Sequence, residues 1–256
     1  MKASITIQIF FLSLLTSCLS TKSRTDERGF QVKLDSVIWT DNSRNRKIPV
    51  AFYTPQTDKK IANQKIVIFS HGYGENKGGD NLLYSYLTED LASQGYFVAS
   101  IQHELPTDSF LAMTGNLHIT RRPNWERGAK NILYVLDRLK EIKAELDYKH
   151  LILIGHSNGG DMTVLFSHQY PDLVDKIISL DNRRMPLPRT NRPKIYSLRS
   201  RDQSADEGVL PTEEERKKFG MTIIKLQDTK HNQMDNDADD RQRREINSYV
   251  RGFLRK

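Results

Sequence analysis

One cysteine in 256 residues, Cys18, excludes an intramolecular disulfide and a thiolate metal cluster. Tryptophan is scarce too, at two. No apolar run approaches the roughly 20 residues that a membrane-spanning helix needs. The longest, over residues 5–15, is interrupted by Thr6, Gln8 and Ser13. Internal repeats and low-complexity tracts are missing, which removes solenoids and disordered arrays. His103-Glu104 is the nearest thing to a metal pair, but no third ligand stands at a recognisable spacing. No metal and no cofactor are therefore expected. The chain carries a formal charge of +7, yet shows no basic stripe interleaved with aromatics and no nucleic-acid motif, so nucleic acid is not expected as a partner.

What remains is ordinary globular material: 37% hydrophobic and 28% charged residues, enough length for a full-sized core. The N-terminus is of another kind. Met1-Lys2 opens positively, an apolar stretch follows, and Leu15-Thr16-Ser17-Cys18 closes it. That closing tetrad resembles the lipobox of bacterial lipoprotein signal peptides, in which cleavage leaves a lipidated cysteine as the first residue. The expected division is a signal peptide over 1–17, a polar tether over 18–29 beginning at lipidated Cys18, and one domain over 30–256. Cleavage near Ser20 by the ordinary secretory route is the alternative. Either route exports the protein. The lipid route makes it a membrane-anchored lipoprotein of a bacterial envelope, periplasmic or attached to the outer membrane.

Past the tether, residues 31–39 and 48–53 alternate apolar and polar around an Asp41-Asn42-Ser43 turn, predicting an antiparallel hairpin. Residues 66–69, 97–101, 151–154, 177–180, 195–198 and 222–226 are short runs of strand type. Helical periodicity occupies 80–93, stopping at Gly95, and 125–146. Thr212 and Glu215 form a capping box for a short helix to residue 219, and a last helix covers 237–254. Strands alternating with helices specify a mostly parallel sheet covered on both faces, hence an α/β fold.

The decisive motif is Gly155-His156-Ser157-Asn158-Gly159, set between the run 151–154 and a helical pattern with Met162, Val164, Leu165 and Phe166. A serine between two glycines at a strand-to-helix turn resembles the nucleophile elbow of the α/β-hydrolase family. The turn is sharp and strand and helix nearly touch, so a side chain at either glycine would clash. The element order resembles that family's fold over about residues 30–256. One departure is visible: only residues 181–193 separate two successive strands where many members insert a helical cap. No large cap domain is expected, and the site should be fairly open, with residues 106–124 the only sizeable loop near it.

The resemblance implies a catalytic triad in the chain order serine, acid, histidine. Of seven histidines, His231 alone follows Ser157 at the C-terminal end of an expected strand, which makes it the base. By family position the acid is Asp202, after the strand 195–198, with Asp181, directly after the strand before it, as the alternative. The resemblance also implies an oxyanion hole from two backbone N–H groups. One belongs to Asn158, after the nucleophile. The other belongs to Tyr73 in His71-Gly72-Tyr73-Gly74, which resembles the family's His-Gly turn. Seven basic residues from Arg183 to Arg201 occur without an acid among them; they could grip a substrate carboxylate or phosphate, or be solvated or paired with Asp206, Glu207 and Glu213 to Glu215. Together these features imply a serine hydrolase that cleaves a small-molecule or lipid ester through an acyl-enzyme. A peptidase or acyltransferase on the same triad, or a catalytically silent envelope-binding module, are the alternatives.

Overall fold

The computed structural model describes residues 29–256. Cys18 and the segments 1–17 and 18–28 lie outside the described residues. Eight strands form one sheet in the order β1-β2-β4-β3-β5-β6-β7-β8. β1 (Gln31–Asp41) and β2 (Arg46–Gln56) are the expected hairpin, antiparallel to each other, and β2 runs antiparallel to β4 (Phe97–Ile101). Asp41 closes the hairpin turn by accepting from the backbone N–H and the hydroxyl of Ser43. From β4 onward every pairing is parallel, through β3 (Lys65–Ser70), β5 (Asp147–His156), β6 (Lys176–Leu180), β7 (Lys194–Arg199) and β8 (Thr222–Lys225).

The continuous apolar runs fill both faces of this sheet. Ile66, Ile68, Leu151 and Leu153 point to one side, where α3 (Arg122–Ile142) and α4 (Ser157–Gln169) supply Ile132, Leu136 and Phe166. Val67, Phe69, Ile152 and Ile154 point to the other, against Leu87 and Leu91 of α1 (Ser85–Ser93) and Ile246, Val250 and Phe253 of α6 (Asp240–Leu254). This is why those strands lack polar alternation. α2 (Leu117–Thr120) is one turn long, and α5 (Glu213–Phe219) carries both bonds of its Thr212–Glu215 capping box.

Helix starts differ from expectation. Residues 80–82 form a 3-10 turn ahead of α1, leaving Leu82 and Leu83 exposed rather than on the helix's inner face. α3 begins three residues earlier than its periodicity indicated, because Pro123 is at home in a first helical turn, where its missing N–H costs nothing. Between β6 and β7 the chain makes only a short connection, with no cap domain.

Candidate active site

β5 ends at His156 and α4 starts at Ser157 with no residue between. A reversal that abrupt puts Ser157 at φ 51, in the left-handed region that side chains avoid. It also brings helix onto strand. A Cβ at Gly155 would stand 2.5 Å from both the Gly159 carbonyl oxygen and Thr163 Oγ1, and one at Gly159 would overlap the carbonyls of Ser70 and His71 at the end of β3. The glycines are thus demanded by the approach of backbones, and the serine is lifted to the C-terminal rim of the sheet.

His231, in a 3-10 turn after β8, reaches over this rim. Its Nε2 lies 2.9 Å from Ser157 Oγ, and its Nδ1 lies 2.6 Å from Oδ2 of Asp181. Asp181 is the first residue after β6, held at φ 58 and fully buried. Its Oδ1 accepts from the backbone N–H of Ser200 and pairs with Arg199 at 3.0 Å, and its Oδ2 accepts from the Ser200 hydroxyl at 2.6 Å. Burial alone would raise this carboxyl's pKa. The bond to His231, the Arg199 guanidinium and the Ser200 hydroxyl outweigh it and hold it below the ordinary carboxylate value.

Asp202 is not at the imidazole. It is exposed, and its Oδ1 accepts the backbone N–H of His231 at 2.8 Å. The reason is distance along the chain. β7 stops at Arg199, Ser200 turns back towards Asp181, and the chain has left the sheet by Arg201 and Asp202, both exposed. The acid against the histidine ring is therefore Asp181, the residue ranked second, and the first-ranked Asp202 supports the histidine loop instead. A sequence signal existed: Asp181 abuts its apolar strand directly, whereas Asp202 sits in a polar turn.

Tyr73 and Asn158 flank the serine. The Tyr73 N–H has no hydrogen-bond partner among the described residues, and the ring lies on the cavity wall beside Ser157. Its hydroxyl accepts from the N–H of Leu111, fastening the 106–124 loop. Asn158 is the second residue of α4, so its N–H is among those that a helix start leaves free. Its side chain is locked from three directions: Trp125 Nε1 donates to its Oδ1 at 2.8 Å, and its Nδ2 donates to Asn124 Oδ1 at 2.8 Å and to Glu104 Oε1 at 3.0 Å. Trp125 and Glu104 thus act on the residue next to the nucleophile, which no local pattern announced.

A second buried chain was equally silent in the sequence. Tyr84 Oη accepts from the N–H of Gly72, so its own proton goes to His156 Nδ1, 2.7 Å away, and the His156 ring packs on that of His231 with centroids 4.7 Å apart. Burial, then the neighbouring His231, push His156 down to about 3, which keeps it uncharged beside that ring. Tyr84 and His156 tie the turn after β3, the elbow and His231 into one unit.

The cavity at the serine has a volume of about 310 Å³, and Asp80, Asp235 and Asp237 line its wall towards α1 and the histidine loop. A larger hollow of about 540 Å³ lies elsewhere, along β1 and α1 by Val32, Tyr86 and Glu89. Its one serine, Ser93, donates to the Asp90 carbonyl and no histidine lines the hollow, so it offers no activated hydroxyl. The basic run is largely used up structurally: Arg199 pairs with Asp181, and Arg189 bonds Glu215 and the carbonyls of residues 208–210. Among the described residues no three His, Cys, Asp or Glu side chains are grouped to hold a metal ion, and no helix is long and apolar enough to cross a membrane.

The sequence model of the α/β-hydrolase fold matches residues 65–211, more than half of the chain. The chain belongs to the α/β-hydrolase fold family. Its match runs from β3 through the elbow and Asp181 and stops short of His231. Among solved structures, a thermophilic esterase of the planctomycete Thermogutta terrifontis, Est2, superposes with a TM-score of 0.62 at 12% identity, covering 90% of this chain and 92% of that one. XC6422 of Xanthomonas campestris, described as an α/β serine hydrolase without a lid, gives 0.61 at 12% identity, covering 87% and 94%. A predicted CIB-like hydrolase of Thermoplasma acidophilum gives 0.56 at 18% identity, covering 88% and 99%. At such identities the likeness is one of fold. No functionally curated protein matches the sequence.

Proposed function

We propose that this protein is a serine hydrolase of carboxylic esters. The observation that carries the reading is the continuous hydrogen-bonded line from Ser157 Oγ through the His231 ring to buried Asp181, at 2.9 and 2.6 Å. His231 Nε2 takes the hydroxyl proton as Oγ attacks the ester carbonyl, and Asp181 holds the Nδ1–H tautomer and offsets the imidazolium charge. The tetrahedral alkoxide is met by the N–H groups of Tyr73 and Asn158. Collapse expels the alcohol, which receives its proton from Nε2 and leaves an acyl group on Ser157. Water then repeats the sequence, giving up its proton to His231 and releasing the acid.

An ester is favoured as substrate by the uncapped rim, which admits bulky esters. The names of similar folds, an esterase and a lidless serine hydrolase, point the same way. The test is labelling with a fluorophosphonate alongside turnover of aryl esters and matched anilides. Native protein should be labelled and release phenol faster than aniline, and Ser157→Ala should do neither. A well-folded native protein that is neither labelled nor active would refute the reading.

We further propose that the chain is exported and anchored through a lipid on Cys18, on the strength of the lipobox-like Leu15-Thr16-Ser17-Cys18 after an apolar stretch. Cys18→Ser should move the protein from the membrane fraction to the soluble one. An unchanged distribution would count against the anchor.

A further inference from the structure

We infer that Arg184 and Arg121, which stand outside the lining of the Ser157 cavity but are linked to the elbow through α4 and α3, form an anion-binding subsite that takes a carboxylate or phosphate group carried by the substrate. This rests on the ester-hydrolase reading of the same site and adds the charge of the molecule cleaved.

Arg184 is only 8% exposed, and its Nε is sealed from solvent without a hydrogen-bond partner. Among the described residues no ion pair and no hydrogen bond engages its guanidinium; only its backbone N–H is used, donated to Asp161 Oδ1 at 2.9 Å. An unpaired cation at that depth is costly, and structures seldom keep one without a counter-charge. Arg121, also 8% exposed, has no carboxylate partner either. Its Nε donates to the Ala112 carbonyl at 2.7 Å and its Nη2 approaches Met113 Sδ at 3.2 Å, which accounts for one edge of the fork. Burial, and then repulsion from Arg184, weaken the hold of Arg121 on its proton, and Asp161 and Asp206 offset this only in part, so the two guanidiniums feel each other.

The available carboxylates do not neutralise the pair. Asp161 is buried, and its Oδ1 is occupied by the N–H groups of Arg184 and Met185 and by Asn182. Burial raises its carboxyl above the usual value while the Arg184 charge lowers it, so the two act on each other through space with no ion pair between them. Asp206 stands 3.3 Å from His118. A planar oxyanion from outside would complete what the fold leaves open, since a guanidinium fork matches carboxylate and phosphate alike.

Both arginines are tied to the elbow. Asp161, which holds the Arg184 backbone, lies one helical turn past Ser157, about 6 Å along α4. Trp125, one turn past Arg121, donates its indole N–H to Asn158, the residue after the nucleophile. The carboxylates of Asp80, Asp235 and Asp237 line the cavity on the side of α1 and the histidine loop. A substrate with a negative end is therefore drawn to the arginines and repelled from those carboxylates, which sets its direction across the serine.

The test compares the 4-nitrophenyl monoester of glutarate, which keeps a free carboxylate, with its methyl ester. Native protein should favour the free acid in kcat/KM by tenfold or more. Arg184→Met should bring the two to near parity and Arg184→Lys should keep part of the preference. Inorganic phosphate should compete in the native protein and lose its hold in Arg184→Met. Preference for the free acid assigns the subsite to carboxylates, whereas competition by phosphate without that preference assigns it to phosphate-bearing esters. A preference that survives in both Arg184→Met and Arg121→Met, or native protein indifferent to charge and to phosphate, overturns the inference. If Arg184→Met does not fold, glutarate and glutaramide are compared as inhibitors of native protein, and equal inhibition overturns it. If neither aryl ester is cleaved, the hydrolase reading fails on its own. The subsite is then judged by calorimetric titration with glutarate and phosphate, with saturable binding sustaining it and none refuting it.

Discussion

Ser157 and Asp181, the two residues on either side of the His231 ring, both occupy the left-handed region, at φ 51 and 58. Neither is a glycine, and strain of that kind persists where surroundings over-determine it. At the residue scale this yields two predictions. Asp181→Asn should lower kcat on an aryl ester by on the order of a thousandfold or more, because the amide can no longer fix the Nδ1–H tautomer. Asp202→Asn keeps an acceptor for the His231 backbone N–H and should change the rate by only about twofold. Steady-state kinetics on the two variants decides; equal losses would remove Asp181 from its role. Tyr84→Phe strips the partner from both the Gly72 N–H and His156 Nδ1 in a fully buried setting. It should cost about 1–3 kcal/mol in urea denaturation and lower kcat more than it raises KM. Unchanged stability would show that water or a rearranged ring replaces the hydroxyl.

Among elements, the joint between β5 and α4 carries the most constraint. Gly159→Ala directs a methyl at the carbonyls of Ser70, the last residue of β3, and His71, the first after it, backbone groups that cannot turn aside. The expected cost is about 3 kcal/mol, the upper end for overpacking, read as a fall in thermal midpoint together with loss of fluorophosphonate labelling. Full labelling at native stability would mean that strand and helix are less tightly joined than they stand here. The same joint explains what could be read in advance. Each expected run became a strand of the sheet; the inner ones are apolar because a strand buried on both faces has no polar side to interrupt it, whereas β8 at the edge is only half-buried. The Thr212–Glu215 box and the hairpin turn at Asp41 were equally local. Helix starts were less legible: at residues 80–84 a periodic pattern ends in a 3-10 turn with Leu82 and Leu83 in solvent, a choice made by packing and not by spacing.

Across the whole molecule, a net charge of +7 coexists with a cavity wall of three aspartates and with a buried arginine, Arg184, whose guanidinium has no ion-pair partner among the described residues. The total says little about the field at the serine. Buried histidines also set a pH dependence. His156 is pushed to about 3, and burial drives His103 well below its usual value. Below pH 6.5 the unfolded chain takes up protons that the folded chain refuses at these two positions, so stability falls as pH drops from 6.5 towards 3. The slope is at most about 1.4 kcal/mol per pH unit for each histidine. Asp161 and Asp235, whose carboxyls are raised, act in the opposite sense, and Asp181, being lowered, enters only below about pH 4. The contrast with a variant isolates the effect: between pH 7 and 4.5 the urea midpoint of His156→Gln should decline less steeply than that of the native protein. Parallel curves would place His156 in a protonated state.

The family and the meeting of Ser157 with His231 could be read from one dimension because each rests on short-range chemistry: an apolar run, two glycines around a serine, a histidine after the last strand. Asp181 could be named beforehand but was placed behind Asp202, although its position directly after an apolar strand was a hint in its favour. Which carboxylate meets the imidazole depends on how far each stands from its strand end and where the backbone turns there. Tyr84 and Trp125 had no signature for these contacts, Glu104 was legible only beside His103, and Arg184 only as one of a basic run. Their partners lie between 23 and 72 positions away, and such pairings exist only once the sheet has brought the strand ends together.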